Sequence, residues 1–364
     1  MQAGYGKALR NYFLETQLQA IIDFGDLQVF EEATTYPCIL NASKQNSNNN
    51  FISAVVKTLN YSNGFVEYLE SISNKITSES LSDETWMISS GGDQDLLSKI
   101  KNAFVTLTKY IGGEAHYGIK TGLTEAFVIS DETHNELISR NKKSLEIIRS
   151  FVLGRNIKPY AIPETDKYLI KFEKGFTNSQ RKNQEAWTWL LSEYPAICNY
   201  LTPFKDKAEK RTDKGDYWWE LRACDYYQEF KKPKIMYQKF QVKPCFIYDD
   251  QGLYCNDSMW IISKDDKVLL AILNSNMGWW LISKYCTAIQ NGYQLIWKYF
   301  GQIPIPKANQ KQSKLVTSIV DEILSAKKGD RHADTSELEK ECDALVYQLY
   351  GLTEEEIKIV EGER

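Results

Sequence analysis

"HYGIKTGLTEAFVI", residues 116–129, sets a Lys-Thr pair between Gly118 and Gly122 and then runs into an apolar segment. Glycine, lysine and threonine make up phosphate-binding loops, so this stretch decides between a nucleotide-binding α/β fold and something else. Spacing excludes the nucleotide loop. Such a loop needs G-x-x-x-x-G followed at once by Lys and Ser or Thr. Gly113 and Gly118 have that separation, but Ile119 takes the place of the lysine, and Lys120 and Thr121 come one position late. "TEAFVIS", residues 124–130, reads as a short strand, whereas a phosphate loop opens a helix whose N-terminus holds the anion. Locally the expectation is a tight turn entering a strand.

The 364 residues suffice for two or three cores of ordinary domain size. With 43% hydrophobic and 25% charged residues the composition is that of a folded globular protein. No apolar run reaches the ~18 residues a spanning helix needs. "MQAGYGKALRNYFLE" has no apolar stretch ahead of a small-residue cleavage site, so no secretory signal is expected. Seven cysteines without a C-x-x-C pair make neither a disulfide framework nor a zinc ribbon. Cys38, Cys198 and Cys245 are expected as buried thiols, and the compartment as reducing and cytoplasmic. The net charge of −4 is unevenly spread: Arg140 to Lys243 holds 22 Lys and Arg against 13 Asp and Glu, and the excess of acid lies outside it. A basic middle between acidic ends is the pattern of one polyanion-binding region in an acidic chain.

Residues 5–19 carry apolar side chains at helical spacing. "AIIDFGDLQVF" and "ATTYPCILNA" follow as two strand-like runs joined by an acidic turn, and "KQNSNNN", residues 44–50, is a linker by composition. "ISAVVKTL" reads as a strand and "DQDLLSKIKNAF" as a helix. From residue 116 to about 308 the chain is aromatic-rich, with short strands and loops, and "LLAILNSNMGWWLISKYC" reads as one buried helix. Two amphipathic helices close the chain. Leu315, Ile319 and Ile323 share a face in the first, and Leu338, Cys342, Leu345 and Leu349 in the second. Ser336 with Glu339 reads as a capping box and Gly351 as the C-terminal stop. The fold class expected is mixed α+β.

Three histidines, His116, His134 and His332, lack any metal-binding or triad spacing, and no G-x-G-x-x-G follows a strand. The basic, aromatic middle remains. Lys, Arg, Asn and Gln among Tyr and Trp are the side chains that hold phosphates and read base edges. "GRNIKPY" places Arg155, Asn156 and Lys158 on a loop ending at a proline. "KIMYQKFQVK" alternates as a strand, with Lys234, Met236, Gln238 and Phe240 on one face and Ile235, Tyr237, Lys239 and Gln241 on the other.

At this point the order of "GKALRNYFLE…IIDFGDLQVFEEATTYPCIL", "YGIKTGLTEAFVI", "FVLGRNIKPY", "PKIMYQKF" and "DALVYQLYGLTEEEI" resembles the C-terminal half of Type IIG restriction–modification enzymes. These are adenine-N6 DNA methyltransferases with a specificity domain similar to that of TaqI methylase. The resemblance covers nearly the whole chain, and "GIKTGLTEAF" is its most specific piece. It implies residues 1–44 as the tail of a methyltransferase domain, 45–110 as a connecting region, 111–308 as a DNA target recognition domain, and 309–364 as a helical hairpin.

The family's methyl-donor loop and N-P-P-Y motif have no counterpart here, and the chain holds no Pro-Pro pair. The resemblance therefore implies S-adenosylmethionine as cofactor of a full-length enzyme and none for this segment. The partners implied are double-stranded DNA and a methyltransferase region or subunit, with or without a nuclease. Lys120 and Thr121 become donors to DNA phosphates, joined by Arg155, Asn156, Lys158, Lys234, Gln238 and Lys239 as DNA-binding candidates. Phe30, in "VFEEATTYP", corresponds to the aromatic that stacks on a flipped adenine in this family. Two other readings stay open: an interaction module whose acidic helical end docks a separate catalytic subunit, and an intact enzyme of another kind.

Overall fold

The computed structural model describes residues 6–25, 27–32, 35–44, 50–77 and 91–362. At its centre lies the strand Lys234–Gln238, flanked by the antiparallel strands Phe246–Asp249 and Met259–Ile262, with His116–Tyr117 beyond the latter. This sheet is covered on both faces, and alternate side chains serve different cores. Ile235, Tyr237, Phe246, Tyr248 and Ile262 enter one core, whereas Met236, Ile247, Met259 and Ile261 enter the other. The period of two expected for this segment is present, but neither face is left to water.

The first core is helical. Lys267–Asn274 and Asn276–Tyr285 pack on the sheet together with Gln310–Gly329, Ser336–Tyr350 and Glu354–Glu361. The run read as one buried helix breaks at Ser275, whose hydroxyl accepts from the Gly278 N–H at 3.0 Å and caps the second helix. The closing helices are not a separate hairpin, since Val316, Val320, Ile323 and Val346 share this core with Ile235 and Leu269. The face of Gln310–Gly329 runs through Val316, Ile319, Val320 and Ile323, and Leu315 is exposed. Thr335, rather than Ser336, precedes the next helix, and its hydroxyl donates to Glu339 Oε1 at 2.5 Å. Gly351 ends that helix at φ +61°, as expected. A capping box not read from the sequence forms between Thr353 and Glu356. The acidic end folds back on the chain, with Glu356 paired to Lys99 at 2.6 Å and Glu361 accepting from the Tyr347 hydroxyl at 3.0 Å.

The second core joins the other face of the central sheet to a second sheet of Tyr254–Cys255, Ile148–Val152, Lys167–Ile170 and Val128–Ser130, and to the helices Ala186–Glu193 and Pro195–Leu201. The strand expected over 124–130 is shorter: Thr124–Phe127 forms a helical turn, and the strand is Val128–Ser130.

The N-terminal helix Lys7–Glu15 precedes a third sheet ordered Cys38–Ser43, Gln17–Asp23, Asn50–Val55, Asn74–Thr77. Its core is small: Leu18, Ile21, Phe51 and Ile76. The sheet crosses the boundary expected at 44/45, because Asn50–Val55 runs parallel to Gln17–Asp23. Most of the "KQNSNNN" linker lies outside the described residues. Cys38 is exposed and Cys245 half-buried, whereas Cys198 is buried and its thiol is pushed up to about 12 by burial. No helix among the described residues is long and apolar enough to cross a membrane.

Candidate nucleic-acid interface

Four chain segments meet at the end of the central strand where Gln238 sits. The Gly118 N–H donates to the Met259 carbonyl at 2.8 Å, and the Ile119 N–H to Cys255 at 2.7 Å, which fixes the 118–122 loop beside Asn256. The approach is so close that a Cβ on Gly118 would lie 2.1 Å from the Asn256 carbonyl oxygen, so only glycine fits. The Lys239 N–H donates to Ser258 at 3.1 Å, tying the strand end to the 256–258 turn. The Gly154–Asn156 helical turn packs on both, a Cβ at Gly154 reaching within 3.0 Å of Ser258 Oγ. The hairpin Thr287–Ile289 and Gly292–Gln294 extends the edge by pairing with Phe240–Gln241.

The edge is polar and basic. Lys120, Arg155 and Lys158 are exposed, Gln238 and Lys239 half-buried, and the Phe240 ring is 50% exposed. Lys239 Nζ lies 5.4 Å from the centroid of that ring, a cation–π distance. Lys158 Nζ donates to His332 Nδ1 at 3.0 Å, which links the 154–158 loop to the end of the long C-terminal helix. Flexible cations, an exposed aromatic ring and amide side chains on loops held by a rigid sheet are the means to grip a phosphate backbone and reach base edges.

Two of the expected DNA-binding residues do not fit this role. Lys234 is fully buried; its ammonium pairs with Asp249 and donates to the Phe230 carbonyl at 2.6 Å. Asp249 also accepts from the Gln251 and Leu253 N–H groups, so the pair organises the 249–253 turn. Thr121 is buried with its hydroxyl against that of Thr124 at 3.3 Å, and its carbonyl accepts from the Arg211 guanidinium. Phe30 is 57% exposed on the loop that follows Gln17–Asp23. The side chain of Asn156 lies outside the described residues.

Several cations of the basic middle are held by acids: Lys143 by Glu193, Lys171 by Glu173, Lys207 by Glu125 and Lys232 by Glu229. The surplus of charge is therefore narrower at the surface than in the sequence. The loop 211–222 is built around two buried groups. Arg211 donates to the Trp218 and Glu220 carbonyls at 2.7 and 2.9 Å and lies over the Phe127 ring, and burial pulls its guanidinium down to about 10. Glu220 accepts from the N–H groups of Gly175, Thr177 and Asp216. Sequence reasoning missed Asp213 and Arg222 on this loop, and Ser258. The Asn-Asp-Ser run at 256–258 is a turn signature that marks the last of these.

Residues 149–305 match the family model of the TaqI-like C-terminal specificity domain. The match runs from the strand carrying Phe151 to Pro304–Ile305 and contains Arg155, Lys158, Gln238 and Lys239. The chain is 20% identical over 283 residues to the Type II methyltransferase M.BanIII of Aneurinibacillus aneurinilyticus, which covers 74% of this chain and 47% of that protein. It is 21% identical over 298 residues to the Type II methyltransferase M.PaeR7I of Pseudomonas aeruginosa, covering 77% of this chain and 45% of that protein. The chain thus spans about half the length of these curated relatives. Among solved structures it resembles the Type IIL restriction–modification enzyme MmeI, determined in complex with DNA, at TM-score 0.53 and 13% identity over 96% of this chain and 46% of that one. The fold is thus shared with restriction–modification enzymes. Within it, residues 149–305 are the part similar to the TaqI-like C-terminal specificity domain.

Proposed function

We propose that this chain recognises double-stranded DNA in a sequence-specific way, as the specificity portion of a restriction–modification adenine-N6 methyltransferase. The observation that carries this reading is the convergence of Arg155, Gln238 and Lys239 at one edge of the domain, with Gly154, next to Arg155, lying against Gln238. Cations grip the phosphates without regard to sequence, and the Arg and Gln side chains discriminate bases by two-point hydrogen bonding.

Methyl transfer belongs to the region of the enzyme that this chain does not supply. With no Asn-Pro-Pro-Tyr and no adjacent prolines in the sequence, its residues do not fit the amine-binding site of such an enzyme, and no step of methyl transfer is assigned to them. S-adenosylmethionine is the cofactor of the whole enzyme on this reading. The exposed Ile39 and Ile52 on the N-terminal sheet fit a surface that packs against that region. The test is selection from a randomised duplex library, with labelled methyl transfer measured in parallel. Enrichment of a defined site without incorporation is expected. Binding without sequence preference, or methyl transfer by the chain alone, contradicts the proposal.

A further inference from the structure

Lys120 lies beside a carboxylate. Asp213 Oδ2 is 2.9 Å from Lys120 Nζ, and its other oxygen is 3.4 Å from Arg222 Nη1. One carboxylate thus spans two cations, one oxygen to each, at the rim of a cavity of about 140 Å³ lined by residues 117–120 and 222–227. Lys120 and Arg222 are well exposed, so an incoming ligand reaches both. A phosphodiester carries the same single charge on a similar pair of oxygens and bridges two cations in the same manner.

The surroundings hold this arrangement in place. Gly122, at φ +68°, lets the 211–222 loop close on the 118–122 loop, since a Cβ there would lie 3.0 Å from Asp213 Cβ. Arg211 ties the two loops by donating to the Thr121 carbonyl. Asp213 itself is partly exposed, and the hydrogen bond from Lys120, with the charges of Lys120, Arg222 and Arg211, holds its carboxyl below the usual range. It is anionic at neutral pH and competes for the two cations.

We infer that Lys120 and Arg222 form a phosphate clasp for the DNA backbone and that Asp213 occupies this clasp when DNA is absent. The inference rests on the DNA-recognition reading and deepens it. Because one anion is exchanged for another, the clasp adds little to affinity on random sequence, and the flanking base contacts decide whether DNA stays. Asp213 is thereby a determinant of the gap between specific and nonspecific binding.

The experiment measures affinity of the full chain for a mixed-sequence duplex over a range of salt. Asp213→Asn keeps the shape and removes the charge; it is expected to tighten binding about fivefold, the worth of one or two exposed ion pairs. That gain should largely vanish in a Lys120→Gln/Arg222→Gln background, which a merely structural role for Asp213 would not produce. Arg222→Gln alone should change parental affinity little, whereas added to Asp213→Asn it should remove part of the gain and make that variant's salt slope shallower by about one. Thermal unfolding and a second variant, Asp213→Ser, guard against misfolding, and Asp213→Ser is expected to tighten binding as well. If the parent binds DNA while both Asp213 variants bind no tighter, the clasp is overturned and the recognition reading stands. A parent that binds no DNA at any salt overturns both.

Discussion

Gly154 lies against Gln238: a Cβ built on the glycine would sit 3.1 Å from Gln238 Cγ. The loop that carries Arg155 is therefore seated on the strand end that carries Gln238, which sets the two residues side by side on the proposed reading surface. Each two-point contact to a base is worth about 1–3 kcal/mol against the wrong base. Arg155→Ala and Gln238→Ala, selected on a randomised duplex library, should each relax one position and leave nonspecific affinity nearly intact. Selection of the parental site by both variants would place the reading surface elsewhere.

Lys158 and Lys239 serve the backbone on this view. Removing either should weaken binding on every sequence alike and make the plot of log affinity against log salt shallower by about one. An unchanged slope for both would show that neither side chain neutralises a phosphate.

Lys234 separates structure from recognition. Its ammonium and Asp249 are both fully buried, so truncation leaves a carboxylate without its counter-charge in the interior. Lys234→Ala should lower stability by about 3–5 kcal/mol in urea unfolding. Affinity for DNA per folded molecule should not change. A folded, fully stable variant with weakened DNA binding would return Lys234 to the interface.

Gly118→Ala tests the seat of the 118–122 loop. Its Cβ would meet backbone, the Asn256 carbonyl oxygen at 2.1 Å, which cannot move aside as a side chain can. A loss of about 1–3 kcal/mol is expected from such overpacking, with a matching fall in the unfolding midpoint. Wild-type stability would mean that the loop is not seated on Asn256.

Asp343 gives the fold a component of pH dependence. Burial pushes its carboxyl up from 3.8 to about 6, although the Asn276 N–H bond acts the other way. Between those values the native state keeps a proton that the unfolded chain has released, so this component of stability is full below about pH 4 and fades as pH rises through about 6. Unfolding free energy measured from pH 4 to 7 should therefore fall less steeply, or rise more, in Asp343→Asn than in the parent. Parallel curves would remove Asp343 as the source.

The loop 154–158 was legible because Gly-Arg-Asn ahead of a proline leaves few other conformations. The burial of Lys234 was not, since its partner Asp249 stands fifteen residues on and no periodicity announces an ion pair between strands. Alternation in "KIMYQ" predicts two faces for the strand but not what covers them. One face is covered by the helices of residues 267–350 and the other by the second core, which the strand itself does not announce. On the long C-terminal helix, steps of four residues drift around the axis, so Leu315 left the face that Val316, Ile319 and Val320 hold. Asp213 and Arg222 escaped notice because loop-to-loop ion pairs have no spacing to read.

The first core draws on residues far apart in the chain, from Leu96 to Val360. Leu96 and Ile100 share it with Val360, Val105–Thr106 pairs with Pro304–Ile305, and Lys99 donates to the Gly351 carbonyl at 2.9 Å. The second core is complete between Ile119 and Ile261. During synthesis the second core has all its parts well before the helix Glu354–Glu361 emerges, so the part of Gly91–Ala103 that this helix covers stays open until then. Contacts of such long sequence separation close slowly, and in that interval the waiting helix is a natural foothold for chaperones and proteases.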